Sequence, residues 1–381
     1  MARTPVREGS PEAGLAARIL RARNWNPLKL LDGGDHIELR RFAGPRRHAE
    51  LMTTPLRVAH VTDIHVGRIT PMAVQHAAVD LVNAQQPDLV AITGDFVCHS
   101  QLYLDALAEL IARYHAPVLC VLGNHDHWSG AAEVRRTLTR AGAQLLDNQH
   151  TTLTLHNQQL QVVGLDDAYT GHADWQTATR GLRDDLPTLG LSHIAEEADH
   201  LWTAGVSLVL SGHTHAGQVT LARLNELALG RVIGHRYIHG IYGTRTAAPP
   251  RGAVYVGAGI GAAVIPLRIG ERARREVAIF ELGAAPGSFP EHHDEQAPLP
   301  GDVLERAETR DLVHMTIAHL PAPYRTALAG KYVDGVCVQQ GHEMIGRTHI
   351  KYNPANNQTV PKWGNPRMVY GWVDIAMLAA E

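Results

Sequence analysis

Leu56-Arg57-Val58-Ala59-His60-Val61 is a short apolar run that breaks on Thr62-Asp63-Ile64-His65. It reads as a buried strand with a carboxylate at its end. The arrangement recurs downstream. Leu89-Val90-Ala91-Ile92 closes on Gly94-Asp95, and Val118-Leu119-Cys120-Val121-Leu122 closes on Gly123-Asn124-His125-Asp126. Helical patterns follow each strand, over Pro71–Gln86, Leu102–Tyr114 and Ala131–Ala141. Strand, polar loop and helix, three times over, predict parallel βαβ units. Such sheets take ligands at the carboxyl ends of their strands, where all three polar clusters fall.

The second half is richer in strands. Thr151–Leu155 and Leu160–Val163 read as a hairpin around Asn157-Gln158-Gln159. Ser207–Leu210 reads as a buried strand ending in Ser211-Gly212-His213-Thr214-His215, and Val254–Val256 and Val277–Phe280 are late strands. The expected fold is α/β: two packed mixed β-sheets flanked by helices, with a separate C-terminal appendage.

The 381 residues have room for one large or two ordinary domains, and 45% hydrophobic against 19% charged residues supports a sizeable core. A net charge of -3 gives no electrostatic case for nucleic acid or an anionic membrane. Three cysteines, Cys98, Cys120 and Cys337, make a poor disulfide framework and suit a reducing compartment. No apolar run approaches the ~18–20 residues that span a bilayer. The opening stretch lacks the basic-then-apolar layout of a secretory signal. The expectation is a cytoplasmic protein, with peripheral membrane contact left open. Residues 1–54 read as a basic arm, in which Gly14–Arg23 is a short amphipathic helix; 55–282 as the catalytic domain; 283–301 as a Pro/Gly-rich linker; and 302–381 as the appendage.

The polar clusters become informative jointly. Asp63, His65, Asp95, Asn124, His193, His213 and His215 supply carboxylate, carboxamide and imidazole donors without a thiolate. That set suits Mn, Fe or Zn rather than a structural thiolate zinc site. Neighbouring strand ends, ~4.8 Å apart, can share a pair of cations.

These blocks, in this order, resemble the calcineurin-like metallophosphoesterases over about Leu56–Leu282. Leu208–Gln218, Gly257-Ala258-Gly259-Ile260-Gly261 and Pro266-Leu267-Arg268 look most like the bacterial branch of small phosphodiesterases. The resemblance implies two divalent metal ions. Asp63, His65 and His215 would hold the first, Asn124, His193 and His213 the second, and Asp95 would bridge both. His125 would be no ligand but the proton donor to the leaving oxygen, opposite in-line attack by a metal-bridging hydroxide. Protein phosphatases of this superfamily carry an Asp and an Arg shortly after the bridging Asp; here those positions are Cys98 and His99. Their absence points away from phosphoproteins and towards a phosphodiester or pyrophosphate bond in a small-molecule or lipid-linked ester. It also leaves open what orients His125. Asp126 reads as a structural loop acid, and Asp166-Asp167 as a turn with a possible role behind the ligands. The alternatives are a phosphomonoesterase and a non-catalytic scaffold of the same fold.

Beyond Asp302, Leu320–Leu328 with Tyr332–Gly335 faintly resembles the promoter-reading region of sigma factors. A recognition helix should follow, but Gly346–Pro354 has no helical pattern, so the DNA-reading element is missing.

Overall fold

The computed structural model describes residues 36–292 except 99, 218–234, 263–267 and 269–272, together with 352–353 and 358–359. Residues 352–353 and 358–359 form a two-residue antiparallel strand pair. The amphipathic segment Gly14–Arg23 and nearly all of 302–381 lie outside the described residues.

The first sheet contains β1 (Ile37–Ala43), β2 (Leu56–Val61), β3 (Leu89–Thr93), β4 (Val118–Val121), β5 (Gln144–Leu145) and β12 (Arg275–Leu282). Its order is β1-β12-β2-β3-β4-β5. β2 through β5 run parallel, and β12 is antiparallel to β2. The connections after β2, β3 and β4 carry α2 (Met72–Ala84), α3 (Leu104–Ile111) and α4 (Asn124–Arg140), as the repeated pattern predicts; a shorter helix, α1 (Arg46–Leu51), lies between β1 and β2.

The second sheet contains β6 (Gln149–Leu155), β7 (Gln158–Gly164), β8 (Thr188–Leu191), β9 (Leu208–Ser211), β10 (Gly240–Gly243) and β11 (Ala253–Val256). Its order is β10-β11-β9-β8-β7-β6, parallel from β7 through β11. Helices α5 (Trp175–Thr179) and α6 (Ala198–Thr203) cover its outer face.

Alternation along the strands builds three apolar layers. Val58, Leu89, Ala91 and Leu119 face the second sheet and meet Leu160, Leu189, Leu208 and Leu210. The intervening Ala59, Val90, Ile92 and Cys120 face α2, α3 and α4. Val163 and Val209 pack outwards under α5 and α6. Phe42, Phe280 and Tyr255 lock the central layer, with ring centroids 5.2–5.3 Å apart and Tyr255 coming from the opposite sheet.

Three stretches differ from the sequence reading. The strand β1 lies in what reads as the arm, yet it pairs along its whole length with β12. Its pattern is weak because Glu38 and the adjacent Arg40 and Arg41 break up the apolar residues of a strand at a sheet edge. The first ten residues of the expected linker pack on the sheet: Glu291 accepts from Arg245 at 2.5 Å, and the His292 amide donates to the Arg41 carbonyl. The hairpin turns at His156-Asn157 rather than one residue later. Both residues have positive φ, 49° and 61°, the geometry that matches the strand twist in a two-residue turn.

His48 on α1 is fully buried, and its Nε2–H donates to the Thr188 carbonyl at 3.0 Å, joining α1 to the second sheet. Its Nδ1 is buried without a partner, so a second proton has nowhere to be stabilised. Burial accordingly lowers its pKa from 6.5 to about 4. As pH falls through 6.5 the unfolded chain takes up a proton that the folded chain refuses. The His48 contribution is therefore full above 6.5 and drains away towards pH 4. In His48→Gln, the stability lost between pH 7.5 and 5 should be smaller than in the native protein by about 2 kcal/mol. Urea unfolding at both pH values reads the difference, and equal losses would show that His48 is not desolvated as described.

Candidate dinuclear metal centre

The carboxyl ends of β2, β3 and β4 in one sheet, and of β8 and β9 in the other, open on the same volume. Asp63 and His65 follow β2, Asp95 follows β3, and Asn124 and His125 begin α4 directly after β4. His193 follows β8, and His213 and His215 follow β9. All seven residues expected to hold metal are thus brought together, and His125 stands beside them.

The spacings are those of donors around cations. Asp63, His65, Asp95 and His215 offer atoms within 4.8 Å of one another, and so do Asp95, His193 and His213. A cation with ~2.0–2.2 Å bonds sets neighbouring donors ~3.0–3.5 Å apart. His65 Nε2 and His215 Nε2 are 3.0 Å apart, and His215 Nε2 lies 3.3 Å from Asp63 Oδ1. On the other side Asn124 Oδ1 lies 2.9 Å from His213 Nδ1 and 3.2 Å from His193 Nε2. Asp95 Oδ2 stands 3.5 Å from His65 Nε2 and 3.3 Å from His193 Nε2, between the two groups. Asp63 Oδ1 is buried with no hydrogen bond, as a carboxylate oxygen reserved for a cation would be. The donor set therefore fits two divalent ions.

The electrostatics agree. Burial, reinforced by neighbouring imidazoles, keeps His213 and His215 well below their ordinary range, leaving neutral rings with a free lone pair. Burial opposes ionisation of Asp95, but the imidazoles of His193 and His125 outweigh it and hold the carboxyl well below its usual range. Burial also opposes a charge on His193, yet Asp95, Asp63 and Asp167 push it up to about 10. The carboxylates that would keep a proton on that nitrogen favour a cation in the same place.

The backbone is strained to aim these groups. Asp63, His65, Asp95, His213 and His215 have φ of 50°, 46°, 55°, 75° and 49°, the left-handed region that side-chain-bearing residues avoid. The bracing lies one layer back. His193 Nδ1–H donates to the Thr93 carbonyl at 2.7 Å, which fixes the tautomer and leaves Nε2 facing Asp95 and Asn124. The Gln75 amide donates to the Ile64 and His65 carbonyls. Gly261 N donates to the Asp63 carbonyl at 2.6 Å and Ile260 N to Thr62. That glycine loop is in turn held by buried Glu276, which accepts from Ala258 N at 2.8 Å and Tyr255 Oη at 2.7 Å, and by Arg268, which donates to the Ala258, Gly261 and Ala273 carbonyls. A Cβ on Gly212 would collide with Thr62 Oγ1 and Asp63 Oδ2, which is why the His-x-His loop needs glycine there.

Asp126, read from sequence as a loop acid, accepts from Phe96 N at 2.8 Å, Val97 N at 3.2 Å and Gly123 N at 2.9 Å. It fastens the loop carrying Asp95 to the corner carrying Asn124. Asp166 and Asp167 form the expected turn: Asp167 Oδ2 accepts from Thr170 N, while Asp166 pairs with His127 and Arg135 of α4. The bracing roles of Gln75 and Glu276 carry no sequence signal, because each acts on backbone groups of another element; Arg268 lies in the Pro266-Leu267-Arg268 stretch that carries the resemblance, but its hold on the glycine loop is not readable from it.

The His125 amide donates to Asp95 Oδ1 at 2.9 Å, and its Nε2 lies 4.0 Å from Asp95 Oδ2. The ring sits between His65 and Trp128, 4.8 Å from each. A group placed there reaches the edge of the donor cluster without ligating it.

Residues 56–217 match the family model of calcineurin-like phosphoesterases. The uncharacterized metallophosphoesterase YkuE of Bacillus subtilis is 29% identical over 232 residues, 59% of this chain and 78% of that one. The phosphodiesterase YaeI of Escherichia coli is 29% identical over 236 residues, 60% of this chain and 82% of that one. The UDP-2,3-diacylglucosamine pyrophosphatase LpxG of Chlamydia trachomatis is 26% identical over 228 residues, 46% and 68% of the two chains.

Replacing Asp126 by Ala leaves three buried N–H groups without an acceptor and should lower stability by roughly 3 kcal/mol or more. Asp126→Asn, which keeps a carbonyl, should fall between. Urea unfolding measures both; an Ala variant as stable as the native protein would remove Asp126 from the bracing scheme.

Proposed function

The chain belongs, through residues 56–217, to the calcineurin-like phosphoesterase family, and from that premise we propose that it hydrolyses phosphodiester or pyrophosphate bonds of small or lipid-linked esters. The observation that carries this reading is the convergence of seven oxygen and nitrogen donors, at cation-like spacings, on strand ends from two sheets.

Asp63, His65 and His215 would hold one ion and Asn124, His193 and His213 the other, with Asp95 between them. When bound, two divalent ions supply Lewis acidity, neutralising phosphoryl charge and acidifying water for in-line attack. The protein's own residues do the rest. Asp63 and Asp95 offset part of the cationic charge, so an anionic ester is drawn in and a product can leave. His125, at the edge of the cluster, gives a proton to the departing oxygen, because an alkoxide leaves poorly without one. The absence of cysteine from the donor set supports Mn, Fe or Zn in an oxygen-nitrogen environment.

The name of the relative YaeI supports the diester, and that of LpxG a pyrophosphate bond in a lipid-linked substrate. Cys98 at the position of the phosphatase Asp supports the same direction. No described helix is long and apolar enough to cross a membrane. A cytoplasmic location, with peripheral access to lipid, accords with the sparse cysteines. The catalytic domain in this reading takes in β1 and the residues as far as His292 besides 55–282, 302–381 being an appendage outside it.

Protein purified without chelator should cleave bis-p-nitrophenyl phosphate faster than p-nitrophenyl phosphate when Mn²⁺ is added, and neither in EDTA. Asp95→Asn should lose activity on the order of 100-fold or more, at least the cost of disturbing a metal centre's surroundings. Preference for the monoester would move the assignment to a phosphomonoesterase. Folded protein that binds no metal and turns over neither ester would be a scaffold.

His125→Ala offers a separate check. It should lose roughly 10²–10⁴-fold on an ester of an alkyl alcohol but far less on a nitrophenyl ester, whose anion departs without a proton. Equal losses on both would exclude His125 as the proton donor.

A further inference from the structure

The rings of His65, His125, Trp128, Tyr169, His213 and His193 follow one another around the donor cluster, with successive centroids 4.8, 4.8, 5.8, 5.3 and 5.1 Å apart. Four are imidazoles already given a role. Trp128 and Tyr169 are not; they close the interval between His125 and His213. Trp128 is 45% exposed, one of two large hydrophobic side chains among the described residues left in solvent. An indole retained at the rim, against the catalytic imidazole, is placed to meet a ligand rather than to fill a core.

The two rings are held in place before any ligand arrives. Trp128 rides on the first turns of α4, and Tyr169 on the loop after β7. His127, adjacent to Trp128, donates to Asp166 Oδ1 at 2.8 Å, and Arg135 of the same helix donates to Asp166 Oδ2 at 2.8 Å. Asp167 closes the turn that presents Tyr169, accepting from Thr170 N at 2.7 Å. Helix and loop are thereby cross-linked beside the rings, so little ordering is left for binding to impose.

We infer that Trp128 and Tyr169 form a ring-binding wall that seats the organic group of the ester beside His125 and selects substrates in which that group is a flat aromatic or heteroaromatic ring; the inference rests on the phosphoesterase reading above. The succession of contacts presents π faces and imidazoles, which suits a flat ring. Stacking of a base-like ring on an aromatic side chain gives about tenfold in affinity or more.

The test uses phosphonates, which offer the cluster a phosphoryl group but no ester to cleave. The Mn²⁺-loaded protein is titrated calorimetrically with phenylphosphonate and with methylphosphonate. The native protein should bind the phenyl compound about tenfold more tightly or better. In Trp128→Ala that ratio should collapse towards one with methylphosphonate affinity retained, which shows the phosphoryl site intact; Trp128→Phe should restore most of the preference, and Tyr169→Ala should reduce it. Equal affinities in the native protein, or a preference that survives both Ala variants, overturn the wall and leave the hydrolytic reading standing. Binding of neither phosphonate overturns both.

Discussion

Asp95 Oδ2 stands 3.5 Å from an imidazole carried by the first sheet and 3.3 Å from one carried by the second. The two sheets meet at that carboxylate. A single sheet cannot place donors on both sides of one oxygen, because its strand ends lie in a row. Two sheets packed face to face can, provided that their parallel strands end on the same side. The central apolar layer sets the distance between them, and the His193–Thr93 hydrogen bond ties β3 to the loop after β8 directly at the site.

The convergence comes with strain. Five donor residues adopt left-handed backbone, each costing on the order of 1–3 kcal/mol in isolation. What holds them is a layer of hydrogen bonds to backbone: Asp126 under Asp95 and Asn124, Gln75 under His65, and the glycine loop under Asp63, itself suspended from Glu276 and Arg268. Nearly all of these groups are buried, so each bond forms without competition from water. These bonds fix the backbone that carries the donors, so that seven polar side chains share a small volume.

The site is also lopsided. The donors are largely buried, whereas His125, Trp128 and Tyr169 stand on one side, the loop of Tyr169 being tied to α4 through Asp166. In the proposed reading, proton donation and recognition of the organic group fall on the same flank.

Much of this was legible in the chain. Apolar runs ending on Asp, Asn and His, spaced by helical patterns, specify strands whose carboxyl ends carry the chemistry, because period and polarity are local properties. The strand β1 was not legible, since an edge strand with three charged residues in seven looks like solvated chain until β12, more than two hundred residues later, supplies its partner. The same holds for Gln75 and Glu276, whose work is done on backbone groups brought near only by folding. Asp126 lay between the two cases: its type and position suggested a loop acid, but the three amides it binds come from two different strand ends. Residue types and their order along the chain determined what the site is made of. Only the tertiary structure decided which donors share Asp95, which backbone angles aim them and which rings stand over them, because each of those depends on distances between strands that the sequence does not contain.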